Sequence, residues 1–388
     1  MDLSLLQQKF VSVFNKTPEA SFFAPGRVNL IGEHIDYNGG LVFPCAITLG
    51  TYGFASPRSD NKFRAYSANF ENLGIIEFSL DDLTYNKDHN WCNYLKGVLK
   101  YLLEAGHNIS TGLDLLMFGN IPNASGLSSS ASLEILMCKI CTDMYALTIT
   151  SVEAALLGKK VENEYIGVNS GIMDQFAIAL GKENHALLLD CNTQEYQQIP
   201  FKLEGYGIII MNTNKRRELA DSKYNERRSE CESALSKLQK TFSIGALCEL
   251  KDEQLDEVSA IVTDPVEFKR AKHAITENTR VIAATKALEN NDLILFGKLL
   301  NASHVSLRDD YEVTGKELDT LAQAAWNEAG VLGARMTGAG FGGCAIAIVA
   351  NDKIDNFIQN VNKKYLQTIG YEASFYIASI GNGPRRIN

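Results

Sequence analysis

Residues 119–132 read Gly119-Asn120-Ile121-Pro122-Asn123-Ala124-Ser125-Gly126-Leu127-Ser128-Ser129-Ser130-Ala131-Ser132. The apolar run at 113–118 before them predicts a strand. Leu133, Leu136, Met137, Ile140 and Met144 follow at helical spacing and predict a helix over 129–146. Strand, small-residue loop and helix in that order gather free backbone N–H groups and the positive end of a helix dipole at one point, which suits phosphate. Hydroxyls at the helix start can also reach a Mg²⁺ ion. A lone serine before a helix is ordinarily a cap. Three in a row exceed what a cap needs, so phosphate binding is the stronger of the two readings.

The nucleotide motifs of other folds are missing from the sequence. The Gly-Lys pairs at 158–159, 181–182, 297–298 and 315–316 lack the following Ser or Thr of a Walker A loop. No His-Arg-Asp loop or Asp-Phe-Gly of a protein kinase occurs. Arg335-Met336-Thr337-Gly338-Ala339-Gly340-Phe341-Gly342-Gly343-Cys344 matches the spacing of a dinucleotide fingerprint, but an apolar strand follows it where a helix is required. A glycine-rich hairpin and a loop supporting a phosphate site both remain open.

Two further segments carry polar groups in unusual density. Ala24 to Gly40 places Arg27, Glu33, His34 and Asp36 within ten residues, around Gly26 and Gly32. Carboxylates accept hydrogen bonds from sugar hydroxyls, so such a loop suits a polyhydroxylated ligand. A surface turn with solvated charges fits the same residues equally well. Asp174, in Asn169-Ser170-Gly171-Ile172-Met173-Asp174-Gln175-Phe176, follows a turn and could take a hydroxyl proton. A capping aspartate is the common alternative.

Composition narrows the class. The chain has 388 residues, 45% hydrophobic and 21% charged, enough for two cores and against bulk disorder. Net charge is −9, and the one dense basic cluster (Lys215, Arg216, Arg217, Lys223, Arg227, Arg228) is interleaved with acidic residues, so nucleic acid is not an expected partner. Eight cysteines are scattered, and only Cys138 and Cys141 lie close together, inside a helical pattern. That argues against zinc and for reduced thiols in a cytoplasmic protein. No stretch approaches a membrane span, and Leu3, Leu6, Phe10 and Phe14 predict a short amphipathic first helix. Further helices are expected at 91–105, 151–165, 216–239, 265–290, 292–302 and 315–328, with strands near 185–191, 206–212 and 344–350 and a loop-and-strand region at 21–55. The shift to helix in the second half suggests domains of 1–200 and 201–388.

Together these segments resemble the GHMP small-molecule kinases and, within them, the galactokinase family. Gly26 to Gly40 is similar to that family's sugar signature, residues 119–132 to its phosphate loop, and residues 335–344 to its C-terminal Gly-rich motif; Trp91 to Val98 and Gly171 to Gln175 also match. The resemblance runs from about residue 20 to 385, and Ile35, Ala124, Ser125 and Ala339 depart from the usual residues. It implies an α+β fold: a first domain related to the second domain of ribosomal protein S5, a ferredoxin-like second domain, and a site between them. It implies transfer of the γ-phosphoryl group of ATP to the anomeric hydroxyl of galactose. Asp174 would face that hydroxyl and Arg27 would neutralise charge on the moving phosphoryl group. Glu33, His34, Ile35, Asp36 and Tyr224 would hold the sugar. Ala124, Ser125, Gly126, Leu127, Ser128, Ser129 and Ser130 would wrap the phosphates, Ser67 would touch the nucleotide, and Ser130 and Glu162 would hold Mg²⁺. A monomer is expected. The rivals are another sugar kinase of the family, acting on N-acetylgalactosamine or arabinose, and a galactose-sensing regulator. The intact Ser128-Ser129-Ser130-Ala131 run favours an enzyme over a sensor.

Overall fold

The computed structural model describes residues 2–122, 126–168, 170–215 and 220–388, with the backbone alone at 220–222. The amphipathic first helix forms as its spacing predicts, over Leu3–Phe14, with the Asp2 carboxylate accepting from the Ser4 N–H at its start. It covers one face of a six-stranded sheet. Leu6, Phe10 and Phe14 meet Phe54, Tyr66 and Leu116 there, while the strand neighbours Ala55, Ala65 and Leu115 point into the main core. That split is the two-residue period of a strand seen from both sides. From edge to edge this sheet runs Arg385–Arg386, Ala20–Asn29, Pro44–Pro57, Leu113–Gly119, Lys62–Ser67, Ile75–Ser79. All pairs are antiparallel except Lys62–Ser67 with Leu113–Gly119. The helix Ser129–Met144 lies against Ala20–Asn29 and Pro44–Pro57.

The second half builds a four-stranded antiparallel sheet. Taking Tyr206–Asn212, Val331–Thr337, Cys344–Ala350 and Ser374–Ala378 as first to fourth, the spatial order is second, third, first, fourth. With helices between the first and second strands and between the third and fourth, this is the ferredoxin-like arrangement. Leu41–Val42, His185–Asp190 and Tyr196–Pro200 form a third, small sheet. Position 200 falls at the end of its last strand, and Arg385–Arg386 returns from the far end of the chain to pair with Phe22 and Phe23.

Three local expectations are corrected. Residues 24–29 belong to a continuous strand, not to a loop, because Pro25-Gly26 sits at a register shift between paired residues. The helix expected at 151–165 is α-helical only over Ser151–Lys160 and continues as a π-helical turn over Val161–Ile166. The helix expected at 292–302 runs on to Asp309. The eight cysteines form no disulfide among the described residues, and seven of them are buried.

Candidate active site

Four elements converge where the ends of Ala20–Asn29 and Val331–Thr337 meet, at Asn29 and Thr337. The first is the strand Ala20–Asn29. Between Pro25 and Arg27 its register shifts, Pro25 pairing with Gly50 and Arg27 with Ala46, so two extra residues lie on the partner strand Pro44–Pro57. Arg27 is almost fully buried; its Nη1 donates to the Gly126 carbonyl at 2.6 Å, and its Nε and Nη2 both reach Asp174 Oδ1 at 2.8 Å. Asp174 stands in the first turn of the short helix Met173–Ala179. Its other oxygen accepts the Ser128 hydroxyl.

Ser128 is where the cap alternative is decided. It occupies the cap position of Ser129–Met144 in a left-handed conformation, φ 62°, and makes no side-chain cap bond. Its hydroxyl is turned to Asp174 instead. The first turn of that helix is thus left without a serine cap, as an anion site requires. A non-glycine residue at positive φ is uncommon and gathers at functional sites; His34, φ 62°, is a second case beside this one. Leu127 is buried and its carbonyl accepts the Arg27 N–H; Ser129 is exposed, and Ser130 is half-buried with its hydroxyl donating to Glu162 Oε1 at 2.6 Å. Glu162 comes from the π-helical turn. Ala124 and Ser125 lie outside the described residues.

The 30–40 segment supplies the third wall. Glu33 is buried; its Oε1 accepts from the Gly338 N–H at 2.8 Å and from Thr337 Oγ1 at 3.2 Å, tying it to the Gly-rich turn. That turn joins Val331–Thr337 to Cys344–Ala350, so the glycine-rich run is a hairpin connection that also abuts the site. Burial raises the Glu33 carboxyl, against the pull of Arg335 and Arg27. His34 Nε2 faces the Ala339 carbonyl at 3.1 Å, which can only accept, so Nε2 carries the proton and Nδ1 accepts from the Tyr37 hydroxyl at 2.9 Å. Burial holds its imidazole down to about 3, so it is neutral. Ile35 is wholly buried in the core, which leaves only its backbone for a ligand. Asp36 is partly accessible. Burial, with Glu33 and Asp174 nearby, pushes its carboxyl up to about 6. A Cβ on Gly171 would lie 2.3 Å from Asp36 Oδ2, so the Asp36 carboxylate rests directly on the turn leading to Asp174. The Tyr224 ring lies 5.5 Å from the His34 ring and 5.6 Å from the Tyr37 ring.

Next to the helix start is a cavity of about 220 Å³ lined by Ser67, Phe70, Trp91, Tyr94, Ser129 and Ser130, among others. The Trp91 Nε1 is buried with no hydrogen-bond partner among the described residues. Sequence reasoning found Ser67 here but gave the aromatic wall no role. Trp91 and Tyr94 read from their spacing as part of a helix, and only folding turns them toward the start of Ser129–Met144. No group of three or more His, Cys, Asp and Glu side chains that could hold a metal occurs among the described residues. The Ser130–Glu162 pair offers hard oxygen donors, which fits Mg²⁺, an ion bound through one or two carboxylates plus phosphate oxygens and water. No described helix is long and apolar enough to cross a membrane.

An Arg–Asp–Ser cluster beside an uncapped helix start, set between an α+β domain and a ferredoxin-like one, defines a small-molecule kinase of the GHMP type. The chain matches the GHMP kinase N-terminal domain over residues 93–182 and the C-terminal domain over 284–367. It matches the galactokinase galactose-binding signature over 8–57. It is 62% identical to the galactokinase of Clostridium perfringens (strain 13) over 387 residues, covering all of both chains, and 59% identical to that of Enterococcus faecalis over 99% of both. The crystal structure of Lactococcus lactis galactokinase complexed with galactose superposes with a TM-score of 0.94 at 53% identity, over 99% of each chain. The Methanococcus jannaschii mevalonate kinase, at 21% identity and TM-score 0.69 over 93% of this chain, shares the fold. The chain belongs to the galactokinase family.

Proposed function

We propose that the chain transfers the γ-phosphoryl group of ATP to the C1 hydroxyl of galactose, giving galactose 1-phosphate and ADP. The observation that carries this is the Asp174 carboxylate, held on both oxygens by Arg27 and Ser128 between the helix start and the 30–40 segment. Phosphoryl transfer needs positioning and charge neutralisation more than covalent help. Asp174 orients the C1 hydroxyl and takes its proton as transfer proceeds. Arg27 offsets charge on the moving phosphoryl group. The N–H groups from Gly126 to Ser130, with Ala124 and Ser125, wrap the phosphates, and the nucleoside enters the cavity beside Ser67, Trp91 and Tyr94. Glu33, His34, Asp36, Tyr224 and the Ile35 backbone surround the sugar. Ser130 and Glu162 would hold a Mg²⁺ ion, which would supply charge neutralisation for the nucleotide phosphates. We assign residues 1–200 and 201–388 to the two domains and expect a cytoplasmic monomer.

Galactose and glucose differ only at the C4 hydroxyl. A site that bonds the axial hydroxyl leaves buried polar partners unpaired when glucose enters, at about 1–3 kcal/mol each. Two such bonds give a preference of about 10²-fold or more in kcat/KM. The test is ADP release across a panel of sugars including glucose, N-acetylgalactosamine and arabinose. Equal or better use of any of these overturns the assignment of galactose.

A further inference from the structure

Only the single turn Asp36–Asn38 is regular within the 30–40 segment, so something outside it must hold it still. The helix Pro265–Glu289 does so. His273, Glu277 and Val281 recur every four residues and share one helix face. His273 Nε2 lies 3.1 Å from the Glu33 carbonyl, and its Nδ1 lies 2.9 Å from the Ser306 hydroxyl. Glu277 Oε1 accepts the Gly32 N–H at 3.0 Å and the Ser303 hydroxyl at 2.5 Å, while Oε2 accepts Arg280 Nε at 2.6 Å. A Cβ on Gly32 would lie 3.0 Å from Val281 Cγ2 and 2.7 Å from the Leu41 carbonyl, and its φ is +98°, so only glycine fits this seat. Asn278, next to Glu277, accepts the Leu41 N–H at 3.0 Å.

The charges are arranged to keep Glu277 ionised. It has no exposed surface. Burial opposes its charge, but Arg280, His273 and Arg335 outweigh that and bring its carboxyl down to about 2. Arg335 reaches Glu33 on its other side at 3.5 Å and donates to the Asn29 and Leu30 carbonyls. Arg280 pairs with Glu277 directly and the Arg335 charge acts on both Glu277 and Glu33, which is what makes a buried carboxylate tolerable.

We propose that Glu277 is a positioning residue for the sugar. From a helix in the second half of the chain it pins Gly32 and thereby aims Glu33, His34 and Asp36. The proposal rests on the sugar role given above to the 30–40 segment. Glu277 touches neither the helix start at Ser129 nor the aromatic cavity, so its effect falls on the sugar and not on ATP.

Glu277→Gln keeps the shape but leaves Arg335 and Arg280 short of one counter-charge and sets an amide donor against another donor. The KM for galactose should rise at least about 10-fold, the cost of one bond to a charged group. The KM for ATP should stay within about twofold. Ser303→Ala removes a single donor to Glu277 and should shift the galactose KM in the same sense by a smaller factor. An unchanged galactose KM in both folded variants overturns the proposal. So does a parallel rise in the ATP KM, or a fall in kcat with both KM values unchanged, since each marks a merely structural post. If Glu277→Gln does not fold, Ser303→Ala decides. Asp36→Ala separates the two levels. If it raises the galactose KM while the other variants do not, the positioning role alone fails. If it too leaves the galactose KM unchanged, the sugar role of the segment fails and the proposal with it.

Discussion

Replacing Asp174 by asparagine removes one charge and almost nothing else. Arg27 Nε and Nη2 both bond Oδ1 at 2.8 Å, and the amide oxygen of asparagine can accept both. Ser128 then faces an amide N–H and can accept from it. The ion pair is nearly buried at the Arg27 side chain, 5% exposed, but Asp174 is 32% exposed, so its loss should cost only about 1 kcal/mol of stability after solvent screening. Turnover should fall by about 10²–10⁴, the range for removing a general base, or about 3–5 kcal/mol of barrier. Galactose affinity should change by less than about threefold, because the asparagine keeps its volume and polar groups. The KM for ATP should be unchanged or lower, since Arg27 loses its internal counter-charge. The assay is coupled ADP release at saturating substrates, with galactose calorimetry and a thermal melt on the same preparation. Turnover within about tenfold of the parent, in a protein that melts normally, refutes a catalytic role for Asp174. A loss of turnover matched by a collapsed melt refutes the claim that only charge was removed.

Three further outcomes follow from the same geometry. Gly171→Ala places a methyl 2.3 Å from Asp36 Oδ2 and must displace that carboxylate, so the galactose KM should rise with the ATP KM unchanged; equal KM values show that Asp36 does not meet the sugar. Glu162→Gln should need more Mg²⁺ for half-maximal rate, and a Mg²⁺ titration that overlays the parent leaves Glu162 as a hydrogen-bond partner of Ser130 only. The Asp36 carboxyl sits at about 6, above its ordinary 3.8, so keeping it ionised opposes folding at higher pH. Asp36→Asn should therefore be more heat-stable than the parent at pH 8, with the gain shrinking as pH falls through 6 toward 4; a gain that does not vary with pH removes the charge as its cause.

What the sequence determined by itself is local. The run 113–146 shows a strand, a small-residue loop and a helix, because side-chain period and small-residue composition are written in neighbouring positions. The resemblance of its loops to a known family supplied the class of reaction. Other features were settled by residues far apart in the chain. Pro25-Gly26 reads as a turn, yet Pro25 pairs with Gly50 and Arg27 with Ala46 across the sheet, which keeps both residues inside a fully buried strand. Ser128 reads as a cap, and only the arrival of Asp174, 46 positions on, takes its hydroxyl elsewhere. The strands Lys62–Ser67, Val331–Thr337 and Ser374–Ala378 went unread because their stability comes from partners in the sheet. Gly32 and Glu277 are 245 residues apart, and no local pattern in either marks the other. A hydrogen bond to a buried carboxylate is specified by where two chain segments meet, and that meeting is decided by packing of the whole core.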